Sequence, residues 1–322
     1  MEKVEVSTPG KLMLFGEHAV VYGRPCIVTA VDRRMKVKVE PMKNQGIEIA
    51  APDVGVEKLS LGVQDLESTE IPKGARFIVA ALRNFSRRYG VSSGIKVTTE
   101  SEFSSEFGFG SSSAVTVGTI AALSWGVGEN LSKEEMFRLA YQSVLDVQGV
   151  GSGFDIAAAV WGGTLSFIAG GREVVPLLAP RLPLVVGYTG IKADTTVLVK
   201  DVARKREVWP NLIDGVFDLM AVISKLAKEV LEKGEWDRAG DLMNSNQGLL
   251  EALGVSTIEL SRLIFSARQA GAWGAKLSGA GGGDCMISLA EDEEKVERAI
   301  RDAGGVVIKV RTGTEGVRRE EI

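Results

Sequence analysis

The sequence predicts a mixed α+β chain of two α/β-type domains, and three observations carry that prediction. Strand-like and helix-like patterns interleave along the whole length. The 322 residues exceed what one domain of about 100–200 residues usually holds. A loosened stretch near 170–182 carries Gly170, Gly171, Pro176 and Pro180, and long amphipathic helix patterns follow it. The division is placed between 1–178 and 179–322.

The elements follow in order. Val4, Val6 and the run Leu12-Met13-Leu14-Phe15 read as strand, and residues 28–39 alternate well at Met35-Lys36-Val37-Lys38-Val39. Residues 41–72 are polar and mixed, fitting short strands and loops. Phe77, Ile78, Ala81, Leu82 and Phe85 share one helical face over 75–89. Residues 94–99 form a strand pattern. Ser132 with Glu135 makes a capping box, so a helix begins at Lys133 and breaks at Gly149. Another helix starts near Asp155 and ends at Gly162-Gly163. In the second half, 182–187 reads as strand, 195–205, 210–233 and 235–252 as amphipathic helices, and a further helix runs to about Ala270. Strands at 275–278 and 285–289 flank the glycine run 279–283. A helix over 292–303, with Asp292 as N-cap, and a last strand at 306–310 complete the chain.

Composition narrows the function. The net charge is -4, with no basic block, which argues against a protein that coats nucleic acid through clustered Lys and Arg. No run of about 18 apolar residues is present, so no membrane span is expected. The N-terminus lacks an apolar signal core, and Cys26 and Cys285 form no CxxC pair; both features fit a cytoplasmic protein. The single histidine, His18, excludes a multi-histidine metal site.

Four segments stand out. Phe107-Gly108-Phe109-Gly110-Ser111-Ser112-Ser113-Ala114 places two glycines and three hydroxyls at the start of an apolar helical run. Glycines let backbone approach a ligand, and free N–H groups at a helix N-terminus favour an anion. The same residues also fit a plain serine cap on a core helix. Residues 9–23 hold Lys11 ahead of an apolar strand end, with Glu17 and His18 after it; a strand with charged ends is the simpler reading of that segment alone. Residues 148–159 set Asp155 among glycines and apolar residues, where an N-cap is the ordinary role. Residues 276–285 hold Ser278, Gly279, Ala280 and three further glycines between strands, more small residues than a hairpin needs. A phosphate cradle, a cation, a positioned hydroxyl and a carboxylate are the parts of a phosphoryl-transfer site. No GxxxxGK[ST] sequence and no VAIK, HRD and DFG set is present, so the P-loop and protein-kinase classes are excluded.

Taken together and in order, these segments resemble the GHMP kinases, the family of galactokinase, homoserine kinase, mevalonate kinase and phosphomevalonate kinase. Pro9-Gly10-Lys11 with residues 16–23 is similar to the first motif of the mevalonate kinases, 108–114 to the ATP-phosphate loop, and 276–285 to the third, glycine-rich motif. Residues 242–255 look like the archaeal type. The resemblance implies an N-terminal domain like ribosomal-protein-S5 domain 2 and a C-terminal ferredoxin-like domain, with ATP and an alcohol acceptor in the cleft between them. It implies Asp155 as the catalytic carboxylate and Lys11 beside it, where the opposite charge favours the ionised carboxylate. Gly108, Phe109, Gly110, Ser111, Ser112 and Ser113 would bind ATP, with Ser112 also holding Mg²⁺. Glu17, His18, Ser152, Ser278, Gly279 and Ala280 would face the substrate. The partner is a small molecule, with no nucleic acid or membrane, and a homodimer is allowed for.

Some residues depart from the mevalonate-kinase pattern. A glutamate that usually helps hold Mg²⁺ is replaced by Val144, and Asp146 would point about 200° away on a helix. The Phe107-Gly108-Phe109-Gly110 lead-in, residues 151–158 and Asp284 look more like phosphomevalonate kinases. Mevalonate, phosphorylated on its 5-hydroxyl, is taken as the acceptor and phosphomevalonate as the alternative. Lys192 and Arg24 are candidate cations for a phosphorylated acceptor, though each also reads as a surface charge. A non-catalytic GHMP-like sensor of ATP or a metabolite is the alternative of another class.

Overall fold

Strand β1 (Val4–Phe15) pairs antiparallel with β2 (Pro25–Met42) and anchors the first sheet. The computed structural model describes residues 1–67, 70–90 and 94–321. After β2 come β3 (Ile47–Ala51), β4 (Val56–Leu61), helix α1 (Arg76–Tyr89) and β5 (Gly94–Ser101). Helices α2 (Ser111–Gly126), α3 (Lys133–Gln148) and α4 (Phe154–Trp161) follow, then β6 (Thr164–Ile168) and β7 (Glu173–Leu177). The order is β1-β2-β5-β3-β4, with β6 on β2 and β7 on β6, and only the β3–β5 pair is parallel among these. Helix α2 lies flat on β1 and β2, because a Cβ on Gly118 would meet Val37 at 2.6 Å. Its interior is apolar nearly all round, as a helix buried between a sheet and other helices must be. The capping box at Ser132 is complete, with both reciprocal bonds formed.

Strand β8 (Leu184–Tyr188) opens the second sheet. Helices α5 (Thr195–Val208), α6 (Pro210–Lys233), α7 (Trp236–Leu253) and α8 (Ile258–Gln269) follow, then β9 (Gly274–Ser278), β10 (Cys285–Leu289), α9 (Glu293–Asp302) and β11 (Val306–Ile308). The order β11-β8-β10-β9 is antiparallel throughout. The expected mixed α+β architecture is thus present. The last strand is shorter than the 306–310 expected, because the chain turns back to the first sheet. Thr312 bridges Val31, Glu315 bridges Gly162, and β12 (Arg318–Arg319) pairs with β1. Buried Arg34 holds this return: its guanidinium donates to the carbonyls of Glu315 at 3.1 Å and Gly316 at 2.7 Å, and to Ser7. The 178/179 division falls between β7 and β8, while residues 311–320 lie against the first sheet rather than the second.

Candidate active site

The register of β1 slips between Pro9 and Gly10. That bulge lets the Lys11 N–H leave the ladder and donate to the Phe109 carbonyl at 3.0 Å. The Lys11 ammonium in turn donates to the Gly108 carbonyl at 2.7 Å and lies 5.4 Å from the Phe154 ring centroid. Burial lowers the Lys11 pKa, and the carboxylates of Asp155 and Asp284 work against that shift. Lys11 therefore sits against the glycine-serine loop, and Asp155 is its principal counter-charge.

The loop itself opens α2 without a side-chain cap. Gly110 is the N-cap, in the left-handed region at φ +78, and Ala114 is the first residue whose N–H bonds back into the helix, to Gly110 at 3.0 Å. The serine-cap reading of this segment is not what the structure adopts: the first N–H groups stay without a side-chain acceptor, at the positive end of a buried helix. A Cβ at Gly110 would come within 3.1 Å of the Lys11 side chain and 3.5 Å of Asp155. The left-handed φ favours glycine here, and the Lys11 contact leaves little room for a Cβ. Asp155 is not an N-cap either. Gly153 takes that position in α4, and Asp155 lies in the first turn, accepting from the Ile156 N–H at 3.1 Å.

These parts line one cleft of about 240 Å³. Lys11, His18, Gly108, Gly110, Ser111, Ser112, Ser152, Asp155, Ser278, Gly279 and Ala280 all border it. Ser278 ties the two sheets together at its floor: its hydroxyl donates to the Met13 carbonyl and accepts from the Met13 N–H, each at 3.0 Å. His18 is buried at φ 58, a backbone conformation costly for a non-glycine residue. Its Nε2 donates to the Ala280 carbonyl at 2.9 Å, which leaves Nδ1 as the acceptor nitrogen.

Three expected site residues lie elsewhere. Glu17 is fully buried beneath the cleft and does not border it. It forms an ion pair with Lys276 of β9 and accepts from the Asn246 amide of α7 at 3.0 Å. The backbone turn at Gly16 and His18 sends adjacent side chains to opposite sides. Phe109 points into the core against Phe103 and Phe107, and Ser113 is buried, its hydroxyl without a hydrogen-bond partner. Phe109 and Ser113 can serve a ligand through backbone alone.

Other residues join the cleft, among them two that the sequence singles out for other reasons. Val144 borders it, while Asp146 faces α1, bonded to Arg83 at 3.0 Å and Asn84 at 2.9 Å, as the helical angle predicts. Lys192 lies on the cleft rim rather than on open surface, paired with Asp284 at 3.3 Å; Arg24 is a surface charge paired with Asp218. Thr195 and Thr196, at the start of α5, also border the cleft. The Asp194 cap that sets that helix start was the available signal.

Burial lowers the His18 pKa below its ordinary 6.5, against the opposing pull of Ala280 and Glu17. With one histidine in the chain, its proton resonance needs no assignment. An NMR titration is expected to give an apparent pKa under 6.5; a value at or above 6.5 contradicts the buried, neutral imidazole. Stability contributed by His18 is then present above pH 6.5 and lost as pH falls through the lowered value.

Comparison with known proteins identifies the family. Residues 76–163 match the model of the GHMP kinases N terminal domain, and residues 227–306 that of the GHMP kinases C terminal. The mevalonate kinase of Pyrococcus furiosus is 40% identical over 99% of both chains. The crystal structure of the Methanococcus jannaschii mevalonate kinase is 26% identical, covers 96% of this chain and 98% of that one, and superposes with a TM-score of 0.82. The Streptococcus pneumoniae phosphomevalonate kinase, in complex with phosphomevalonate and AMPPNP, shares the fold at a TM-score of 0.81 over 99% of this chain and 100% of that one, with 18% identity. The chain belongs to the GHMP kinase family, among its mevalonate kinases.

Proposed function

We propose that this protein is an ATP-dependent kinase that phosphorylates the 5-hydroxyl of mevalonate. The observation that carries the reading is the convergence of Lys11, Asp155, the uncapped start of α2 and the 278–280 segment on one cleft. The near-full-length likeness to the Pyrococcus mevalonate kinase supports mevalonate as the acceptor. A sensor that only binds has no use for a carboxylate beside a buried lysine at the phosphate end of the site.

Each residue then has a physical task. The backbone at 108–113 cradles the ATP phosphates with free N–H groups. Lys11 stabilises the charge on the phosphoryl group in transfer. Asp155 accepts the hydrogen bond of the 5-hydroxyl and takes its proton as that oxygen bonds to the γ-phosphorus and ADP leaves. His18, Ser152, Ser278, Gly279 and Ala280 shape the acceptor side. The first turn of α2 fits a Mg²⁺ ion carried by the nucleotide. Ser112 offers a hydroxyl there, and among the described residues no group of three or more His, Cys, Asp or Glu could cage a metal alone. Magnesium keeps several waters, so one hydroxyl with phosphate oxygens suffices. When bound, the ion neutralises charge on the β- and γ-phosphates. Among the described residues no helix is long and apolar enough to cross a membrane. A cytoplasmic enzyme is part of this reading, and a homodimer is compatible with it.

The test supplies purified protein and ATP with mevalonate or with 5-phosphomevalonate and measures ADP release. Turnover of mevalonate is expected. Turnover of phosphomevalonate alone overturns the acceptor, and no turnover of either supports the sensor.

A further inference from the structure

Asp284 closes the glycine run 279–283 and stands directly before β10. Among the described residues, His18 and Asp284 are the two non-glycine residues at positive φ, Asp284 at 53. That conformation is costly for a residue with a Cβ, so the surrounding structure must hold it. The hold is a set of hydrogen bonds to the segment that joins β8 to α5. The Asp284 N–H donates to the Ile191 carbonyl at 2.8 Å, and the Asp284 carbonyl accepts from the Thr189 N–H and hydroxyl, each at 3.0 Å. Its carboxylate Oδ1 accepts from the Ala193 N–H at 3.0 Å and from the Lys192 ammonium at 3.3 Å. The other carboxylate oxygen lies against the glycine-serine loop: a Cβ on Gly108 would stand 2.8 Å from Oδ2. The Cys285 thiol, next in sequence, donates to the Phe107 carbonyl at 3.2 Å. Asp284 thus pins Lys192 beside the lip of the loop that opens α2.

We infer that Lys192 binds the phosphate chain of the nucleotide and that Asp284 positions it there. The inference rests on the kinase reading of the cleft and adds a second cation to it. Lys192 and Asp284 both border the cleft. Among the described residues the Lys192 ammonium has one hydrogen-bond partner, the Asp284 carboxylate, and its side chain is 45% exposed. An ammonium carries three N–H donors, so two stay open to a ligand. Charge argues for an anion. Asp284 alone would repel a phosphate at Gly108; paired with Lys192 it is neutralised, and the open donors suit a phosphate oxygen. Besides burial and Asp155, which act on Lys11 most strongly, Asp284 and Lys192 also reach it, with opposite signs. The nucleotide rather than the acceptor is the partner, because Phe107 and Gly108 belong to the phosphate loop, whereas His18 and residues 278–280 shape the acceptor side.

Calorimetric titration of ATP needs no turnover and so tests this separately from the acceptor assignment. Lys192→Gln is expected to weaken ATP binding by about 10-fold, the loss of one charge-assisted hydrogen bond. It should raise KM for ATP while KM for mevalonate stays near the parent value. Lys192→Arg keeps the charge and the donors and should restore most of the affinity. Asp284→Asn keeps an oxygen for the Ala193 N–H, and asparagine tolerates positive φ, so the change removes the charge that holds Lys192 and little else. It should weaken ATP binding several-fold in the parent and have no further effect in the Lys192→Gln background. Parent-like ATP binding by Lys192→Gln overturns the inference, as does a rise confined to KM for mevalonate, which would place Lys192 on the acceptor side. Equal losses from Asp284→Asn in both backgrounds overturn the positioning role and make Asp284 a structural residue of its loop. A parent that binds ATP but turns over neither acceptor fails the kinase reading alone; the ratio of ATP affinities still decides Lys192.

Discussion

Asp155→Asn is expected to lower kcat for mevalonate phosphorylation by about 10²–10⁴-fold, the usual contribution of a positioned acid–base group. Affinity for ATP should stay near that of the parent. The two outcomes separate because Asp155 and the nucleotide cradle come from different elements. Asp155 stands in the first turn of α4, whereas the phosphate-facing N–H groups belong to α2. Asparagine keeps the side-chain oxygen that accepts from the Ile156 N–H, so the first turn of α4 survives the change. What it loses is the capacity to take a proton and the counter-charge to Lys11, whose burial already favours the neutral amine. Steady-state turnover with mevalonate, paired with calorimetric titration of ATP, reads both. Near-parent turnover removes Asp155 from the reaction; a loss of ATP binding as large as the loss of turnover would make it a structural residue of the cleft.

What was legible in sequence is what is written in backbone. Gly110 favours glycine because it takes φ +78 with the Lys11 side chain 3.1 Å from its Cβ position, and a glycine before a serine run and an apolar helix is visible in a string of letters. The fold was legible for the same reason: the capping box at Ser132, the 3.6-residue period of α1 and the alternation in β2 each fix a local structure. Side-chain direction at a tight turn is not so written. Glu17 and His18 are neighbours, yet one borders the cleft and the other is sealed beneath it, because Gly16 and His18 both take positive φ. A signal for the buried placement of Glu17 existed at the far end of the chain. Lys276 lies within an apolar strand pattern, and a lysine there requires a buried carboxylate as partner. The return of the tail to β1 was equally hidden, since it depends on Arg34 bonding carbonyls some 280 residues away.

Lys276→Met is expected to destabilise the protein by about 3–5 kcal/mol, the cost of leaving one member of a buried ion pair without its partner. The Glu17–Lys276 pair has no exposure on either side chain, and burial lowers the Lys276 pKa against the pull of Glu17. In the variant the Glu17 carboxylate keeps one neutral donor, the Asn246 amide. The pair joins the turn before His18 to β9, one residue from Leu277 and two from Ser278, so it fixes how the two sheets meet beneath the cleft. Replacing both partners, Glu17→Gln with Lys276→Met, should recover most of the loss, because two neutral side chains carry no comparable desolvation cost. Urea unfolding of the parent, the two single variants and the double variant closes the cycle. A single-variant loss under about 1 kcal/mol, the range of exposed pairs, would mean that water reaches Glu17 and that the carboxylate is free to face a substrate after all. A large single loss with recovery in the double variant assigns Glu17 to holding the sheets together, and leaves His18 as the residue of that turn that meets the acceptor.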